Sequence, residues 1–163
     1  MRPKVLLISQ DAGLKERTRS CFSRRGCCVL CADTGMRGLN IARLSLPDVI
    51  VLDDELPDLD GFSVCGLLRT QVSTRHVPVI ILLSPAKSKL CDGVSAPDAP
   101  QFLPRNLAPE ALQKHVLYRL ARRLRPGSLR AALSRSENVA SDRFPTSVVR
   151  YSWSRYLKQP VPG

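Results

Sequence analysis

The chain has 163 residues, of which 44% are hydrophobic and 24% are charged, and its net charge is +11. This length suits one compact domain, and the composition is that of an ordinary globular protein. No apolar run approaches the roughly 18 residues of a membrane helix, and the apolar start at residues 5–8 is too short for a secretory signal, so the sequence predicts a cytoplasmic protein without a membrane span.

Three apolar runs dominate the first half of the chain, and each is short, continuous and rich in Val and Ile, as is typical of a strand covered on both faces. Asp60 is a good N-cap, Gly26 is a natural helix stop, and Pro109 suits a first helical position. In chain order the predicted elements are a strand at 5–8, a helix around 14–25, a weak strand at 28–32, a helix at 36–44, a strand at 49–52, a helix at 61–69, a strand at 79–83, a weak strand at 101–103 and a helix from Pro109.

The fourth strand-to-strand connection is the least regular. Residues 84–91 allow two helical turns at most, and the Pro- and Gly-containing stretch at 92–100 breaks any helix, so we expect a short or irregular fourth helix. The β-α pattern still repeats five times. Because crossovers between parallel strands are right-handed, it predicts a doubly wound five-stranded parallel sheet, with ligands bound beyond the carboxyl ends of the strands.

Six cysteines raise the question of a disulfide framework or a metal site. In a chain without an export signal the thiols stay reduced. The spacing of Cys28 and Cys31 resembles half of a metal knuckle, but residues three apart on a strand point to opposite faces. We therefore expect the cysteines to be small buried hydrophobes.

The composition changes after Pro126, so we divide the chain into a domain at residues 1–125 and a basic C-terminal tail at 126–163. Residues 123–163 hold 8 basic and 2 acidic residues, which is a net +6 of the total +11. Aromatic residues alternate with basic ones at 150–158, a pattern that can stack on bases and pair with phosphates. The same residues can equally dock on the chain's own domain or on a partner protein. We expect a flexible tail.

The acidic turn at residues 47–62 is the most informative stretch. It places Asp53 at the end of an apolar strand, Pro57 four residues later and Gly61 four residues after that. This pattern closely resembles the receiver domain of bacterial two-component response regulators, and the resemblance extends from Lys4 to about Leu124. It implies a flavodoxin-like fold with strand order 2-1-3-4-5. It also nominates Asp53 as the acceptor of a phosphoryl group from a histidine kinase.

The resemblance implies a Mg²⁺ site with one departure. In the family the ion is held by an acidic pair after the first strand, by the acceptor Asp, and by the backbone carbonyl two residues beyond it, which is Glu55 here. This sequence has Ser9 and Gln10 in place of the acidic pair, and Asp11 follows one step later. The metal candidates are therefore Asp11, Asp53 and Glu55, and we expect weak Mg²⁺ binding because Mg²⁺ requires hard oxygen ligands.

Two more family positions have changed. The hydroxyl residue that ends the fourth strand aligns with Leu83, and Ser84 comes one residue late. The Lys-Pro of the fifth strand aligns with Arg105 and Asn106, and Arg keeps the charge but is bulkier. Phe102 matches the aromatic switch position. We take Ser84 and Arg105 as catalytic candidates beside Asp53, and Leu83 and Phe102 as switch candidates.

The resulting prediction is a two-component phosphorelay protein that acts through protein contacts and is not an enzyme. Its expected partners are a histidine kinase or phosphotransfer protein and a downstream protein. Two alternatives stay open. One is a pseudo-receiver adaptor that signals regardless of phosphorylation, and the other is a nucleic-acid-associated regulator that uses the basic residues of 150–158.

Overall fold

The computed structural model describes residues 2–88 and 99–123. Strands and helices alternate along the described chain. They are β1 (Lys4–Ile8), α1 (Ala12–Ser23), β2 (Cys28–Ala32), α2 (Gly35–Ser45), β3 (Val49–Asp53), α3 (Gly61–Thr70), β4 (Val79–Leu83), α4 (Pro85–Ser88), β5 (Gln101–Pro104) and α5 (Pro109–Arg123).

The five strands form one parallel sheet in the order β2-β1-β3-β4-β5. In the register of this sheet, Leu7 of β1 lies opposite Cys31 of β2 and Val51 of β3. The predicted doubly wound sheet and its strand order are confirmed. Because all strands run the same way, their carboxyl ends meet at one edge, where Asp53 is the last residue of β3.

Two apolar cores cover the two faces of the sheet, because successive strand residues point to opposite sides. Val5 and Leu7 pack with α1 and α5, whereas Leu6 and Ile8 pack with α2 and α3. The central strands β3 and β4 are buried along their whole length. Because helices cover both faces of the sheet, the sequences of these strands are continuous apolar runs and do not alternate between apolar and polar residues.

Side-chain caps fix where the first three helices begin. Asp11 accepts a hydrogen bond from the backbone N–H of Leu14 (3.0 Å), and Asp60 accepts one from Ser63 (3.0 Å). Thr34 caps α2 in the same way, so that α1 and α2 each begin one or two residues before the predicted starts. Such caps satisfy backbone donors that the first turn leaves unpaired.

The cysteines depart in part from the expectation of burial. Cys27 and Cys65 are buried, but Cys28 is exposed and Cys21 and Cys31 are half-buried, and all five are free thiols. The expectation was wrong for Cys28 because β2 is an edge strand. Neighbouring strand residues pack on opposite cores, which keeps the thiols of Cys28 and Cys31 from a shared ion. Burial raises the pKa of the Cys65 thiol to about 11.

Several predictions fall on residues that the structure does not describe. These are the irregular stretch after α4 at 89–98, the domain boundary at 125/126, the basic tail at 126–163 and its aromatic segment at 150–158. Within residues 2–88 and 99–123, no helix is long and apolar enough to cross a membrane.

Candidate functional site

Asp53 lies at the carboxyl edge of the sheet and has no solvent-exposed surface. It pairs with Leu82 of β4 in the parallel ladder, and the chain then turns away from the sheet. A carboxylate in such a place requires polar partners, since a buried charge without them is costly.

Two groups supply those partners, one from the end of β1 and one from the end of β5, and both bind the same oxygen. The Ser9 hydroxyl donates to Asp53 Oδ2 at 2.7 Å, and the Arg105 guanidinium lies 3.1 Å from that atom. Asp53 Oδ1 is buried and has no hydrogen-bond partner among residues 2–88 and 99–123. The acceptor candidate is therefore held firmly at one oxygen and left unsatisfied at the other.

The sheet itself positions Ser9 and Arg105. Ser9 follows β1 directly, and its hydroxyl also accepts a hydrogen bond from the backbone N–H of Asp11 (3.1 Å). Arg105 follows β5, and its backbone N–H donates to the carbonyl of Leu83 (2.8 Å). Parallel strands bring these two side chains to Asp53 because their carboxyl ends share one edge.

The pKa of Asp53 is raised above its ordinary value. Burial is the largest cause, and the negative charges of Asp54 and Asp11 add to it. The Ser9 hydrogen bond and the Arg105 charge act in the opposite direction without cancelling the increase. Asp53 therefore binds a proton more readily than an exposed aspartate does.

A second buried carboxylate, Asp54, adjoins the first and has its own partners. The backbone N–H and the hydroxyl of Ser84 both lie 3.2 Å from Asp54 Oδ2. The Lys87 ammonium lies 3.3 Å from the same oxygen and 3.6 Å from Glu55 Oε1. Burial lowers the pKa of Lys87, but Asp54 and Glu55 together raise it further, so the net shift is upward.

The turn after β3 is anchored at two places. The backbone N–H of Gly61 donates to the carbonyl of Asp54 (2.9 Å), which brings the start of α3 against the end of β3. The Asp58 carboxylate accepts hydrogen bonds from the backbone N–H groups of Gly35 (2.7 Å) and Met36 (2.9 Å). Burial acts to raise the pKa of Asp58, but these hydrogen bonds outweigh it and lower the pKa.

With this geometry in view, the comparisons with known proteins are informative. The family model for the response regulator receiver domain matches residues 5–117. The chain belongs to that family. The receiver domain is a signalling domain of two-component systems, and its members interact with histidine kinases and downstream effectors.

Individual relatives agree with the family assignment. The transcriptional regulatory protein AfsQ1 of Streptomyces coelicolor is 39% identical over 80 residues, which are 49% of this chain and 34% of that protein. The structure of the Francisella response regulator 1452 receiver domain is 27% identical, with a TM-score of 0.62, covering 74% of this chain and 98% of that one.

A third comparison concerns a receiver domain with a bound metal. The receiver domain of sensor histidine kinase PA1611 from Pseudomonas aeruginosa, solved with a magnesium ion in its active site cleft, has a TM-score of 0.60 and 23% identity, covering 76% of this chain and 98% of that one. It shares the fold. The chain spans about a third to a half of the length of the curated relatives that it matches first.

The receiver pocket brings together some of the residues that the sequence singled out and separates others. Asp53 and Arg105 are in contact, whereas the Ser84 hydroxyl binds Asp54 and not Asp53. Asp11 uses one carboxylate oxygen to cap α1. The Glu55 carboxylate faces Lys87, while its backbone takes part in a bridge to Asp60.

Both switch candidates of the receiver domain are buried. Leu83 ends β4, where it pairs with Pro104 of β5. Phe102 is 3% exposed, and its ring lies 6.0 Å from that of Phe62 at an interplanar angle of 30°. Phe102 belongs to the core on the α2–α3 face, so a rotation of its ring would disturb packing on that face.

The donor set for a divalent cation is small. Among the residues that the structure describes, no group of three or more His, Cys, Asp or Glu side chains is arranged to hold a metal ion. The orphaned Asp53 Oδ1 is a hard oxygen of the kind Mg²⁺ prefers, and Mg²⁺ in proteins commonly keeps several waters and uses one or two carboxylates. These residues fit a weakly held ion.

Proposed function

We propose that this receiver domain accepts a phosphoryl group at Asp53 from a histidine kinase or phosphotransfer protein, slowly, and signals through a downstream protein partner. The observation that supports this function is the position of the Asp53 carboxylate at the carboxyl edge of the sheet, bonded by the Ser9 hydroxyl and the Arg105 guanidinium.

In the proposed reaction an Asp53 oxygen attacks phosphorus, a P–O bond forms and the P–N bond of the donor phosphohistidine breaks, with a proton taken up by the leaving imidazole. Arg105 is the cation nearest the attacking group. A guanidinium binds phosphoryl oxygens through two parallel hydrogen bonds, so Arg105 can move from Asp53 to the new phosphoryl group. Ser9 would hold the remaining carboxylate oxygen in place.

We further propose that Mg²⁺ binds weakly, held by Asp53 and the Glu55 backbone carbonyl with Asp11 nearby. The bound ion would neutralise charge on the transferring group. Support comes from the unpartnered Asp53 Oδ1, and from the family to which the chain belongs. Ser9 stands where the family has an acidic residue, which removes a ligand and accounts for the weak affinity.

Slow transfer follows from the same replacements. Phosphoryl transfer relies on positioning and electrostatic stabilisation, and the loss of one well-placed polar partner costs about 10²–10³-fold in rate. The Ser84 hydroxyl is bound to Asp54, so it offers no direct replacement for the hydroxyl that the family carries at the end of the fourth strand.

The test is the intact mass of the full chain after incubation with acetyl phosphate, with and without Mg²⁺. We expect partial, Mg²⁺-stimulated gain of one phosphoryl group. The gain should be absent in Asp53→Asn and retained in Asp54→Asn, which removes the charge of the adjacent buried carboxylate. Loss of the adduct in Asp54→Asn alone would refute Asp53 as the acceptor.

A second candidate function is phosphorylation-independent signalling by the fixed surface of the domain. It is favoured by the complete burial of Asp53, which a phosphoryl donor has to reach. The discriminating measurement is the phenotype of Asp53→Ala in the cell. A folded Asp53→Ala protein that acts like wild type supports this second function, whereas one that acts like a deletion supports phosphorylation.

The proposed function also requires a surface that contacts the downstream partner. We place the downstream contact on the surface formed by α4, β5 and α5 or on the tail, and the site of action in the cytoplasm, as suits the receiver family. Nucleic acid binding through residues 150–158 would instead show a steep fall in affinity with salt, because bound cations are released from phosphates.

A further inference from the structure

A cavity of about 210 Å³ lies at the amino-terminal edge of the sheet, opposite to the edge that carries Asp53. It is formed where α3 ends, β4 begins and α5 makes its last turns. No acidic side chain of the described residues lines it. The lining side chains, which define the arginine cavity, are Arg69, Arg75, His76, Val77, Pro78, Ala99, Arg119, Arg122 and Arg123.

Backbone carbonyls hold two of these arginines in place. Arg69 donates from Nη1 to the carbonyls of Arg75 (2.6 Å) and Val77 (2.8 Å). Arg123 donates from Nη1 to the carbonyl of His76 (3.0 Å). The segment that leads into β4 is thus hydrogen-bonded by one arginine of α3 and one of α5. The guanidinium groups of Arg69 and Arg123 are therefore held in place before any ligand binds.

Arg119 is held from β5 instead. Its side chain is buried, and its Nε donates to Gln101 Oε1 (3.2 Å), while Gln101 Nε2 lies 2.7 Å from His115 Nδ1. Burial is the main cause that lowers the pKa of Arg119, and the nearby charges of Arg122 and Arg69 lower it further. Arg119 is thus a buried cation with two other positively charged side chains nearby.

Three of the arginines that line the cavity have no acidic partner among the residues that the structure describes. The ion pairs that the structure shows among residues 2–88 and 99–123 do not include Arg119, Arg122 or Arg123. Arg119 is the buried one of the three, and a buried charge in a protein is normally paired because an unpaired one is expensive. The converging guanidinium groups therefore favour an anion in the cavity.

The chemistry and size of the cavity narrow the choice of anion. Guanidinium forks match phosphate oxygens, and several arginines suit linked phosphates better than a single carboxylate. Pockets that enclose a whole drug-sized ligand measure about 300–1,000 Å³, so a smaller cavity encloses a charged head group and leaves the rest of the ligand outside. We propose that the arginine cavity binds the diphosphate group of a small phosphorylated ligand.

The proposed site is separate from Asp53, so its occupancy can be measured without phosphorylation. The direct experiment is calorimetric titration of the full chain with inorganic phosphate, inorganic diphosphate and ADP at constant ionic strength. We expect diphosphate and ADP to bind at one site per chain, and inorganic phosphate to bind more weakly.

Exposed arginines supply variants that keep the fold. Arg122 and Arg123 are exposed, so we expect Arg122→Gln with Arg123→Gln to remain folded and to bind diphosphate and ADP at least about tenfold more weakly, the factor for one lost charge-assisted hydrogen bond. Arg43→Gln is the control, because Arg43 is exposed and does not line the cavity. Thermal unfolding of each variant verifies the fold.

Two results would overturn the proposal. One is the absence of diphosphate and ADP binding, and the other is equal weakening in the Arg43→Gln control. In the first case, binding of a short DNA duplex that requires Arg122 and Arg123 would assign the arginines to nucleic acid. Because the acetyl phosphate assay reads Asp53 alone, failure here leaves the proposed phosphorylation intact.

Discussion

Asp53 combines two properties that oppose each other. Its carboxylate is fully buried, and one of its oxygens has no hydrogen-bond partner in the part of the chain that the structure describes. Both features favour the protonated form, yet the proposed chemistry requires the ionised form. Arg105 and Ser9 lower the pKa in part, but the net shift is upward. A buried carboxylate of this kind destabilises the fold at neutral pH, a cost that proteins commonly accept where a residue serves function rather than stability.

This opposition predicts the effect of pH on stability. A carboxyl group whose folded-state pKa is raised contributes stability that is fully present below its unfolded pKa. This contribution is lost as the pH rises through the folded-state pKa. We therefore expect Asp53→Asn to raise the free energy of unfolding at neutral pH by about 1 kcal/mol, a usual size for one substitution. The gain should shrink as the pH falls, as measured by urea unfolding at several pH values.

Asp58 provides a matched control, because its pKa is shifted in the direction opposite to that of Asp53. Its pKa is lowered, so its contribution to stability is present above its unfolded pKa and is lost as the pH falls through the folded pKa. Asp58→Asn should thus destabilise most at neutral pH and least in acid. A pH-independent effect at both positions would show that the carboxyl charges do not govern stability here.

The metal site gives a second prediction at the same scale. Changing Ser9→Asp together with Gln10→Asp restores the carboxylates that the family carries after its first strand, so Mg²⁺ should bind more tightly. Calorimetric titration with Mg²⁺ measures the gain, and Gln10→Asp alone, at an exposed position, is the control. Equal affinity of the double variant and wild type would contradict the placement of Ser9 beside Asp53 as a ligand position.

The sequence predicted part of this site and missed part. It predicted that Asp53 would end a buried strand and that Arg105 would lie beside it. It did not predict the hydrogen bonds of Asp54 with Ser84 or its ion pair with Lys87. Two consecutive aspartates at a strand end do not by themselves indicate which side chains they contact. Those contacts depend on where the adjacent strand ends.

At the scale of elements, the contact between the end of β3 and the start of α3 depends on Gly61. A Cβ at this position would overlap the carbonyl oxygen of Asp53 and lie 2.8 Å from Asp54 Cα. Backbone atoms cannot move aside as a flexible side chain can. The close approach of α3 to the end of β3 therefore requires a glycine at position 61.

We expect Gly61→Ala to lower the free energy of unfolding by about 1–3 kcal/mol through overpacking. Gly66→Ala in the same helix is the control, because a Cβ there meets nothing within 4 Å, and it should stabilise the protein by about 0.5–1 kcal/mol. Chemical unfolding of both variants tests the contrast. Similar stability changes in the two variants would show that α3 can shift away from β3.

Helices and strands were predictable where short stretches of sequence determine them. Continuous apolar runs predicted β1, β3 and β4. The N-cap Asp60 predicted the start of α3, and Pro109, as a first helical residue, predicted the start of α5. The exposure of Cys28 was not predictable, because it depends on β2 being at the edge of the sheet, which only the strand order decides.

At the scale of the whole molecule, we expect residues 1–125 to fold without the C-terminal tail. The two cores that cover the sheet use residues up to Leu120 of α5. We therefore expect a chain shortened to residues 1–125 to keep the circular dichroism spectrum and the acetyl phosphate reactivity of the full chain. A large drop in the melting temperature would instead show that residues 126–163 stabilise the domain, and the tail would have to be included in it.

The global arrangement was less predictable from local patterns. The strand order came from the resemblance to the receiver family, because right-handed crossovers alone allow several orders. The arginine cavity was missed, since Arg69 and Arg119 are far apart in sequence and meet only when α3 and α5 end at the same edge of the sheet.

The two ends of the sheet differ in charge, and this polarity has a consequence for approach from a distance. Carboxylates of the turn at residues 53–60 outnumber the cations Lys87 and Arg105 at one end, whereas arginines gather at the other. The domain is thus an electric dipole, and the field of a charged partner would rotate it before contact. Its association rates should fall with ionic strength, as orienting forces are screened within about 10 Å at 0.1 M salt.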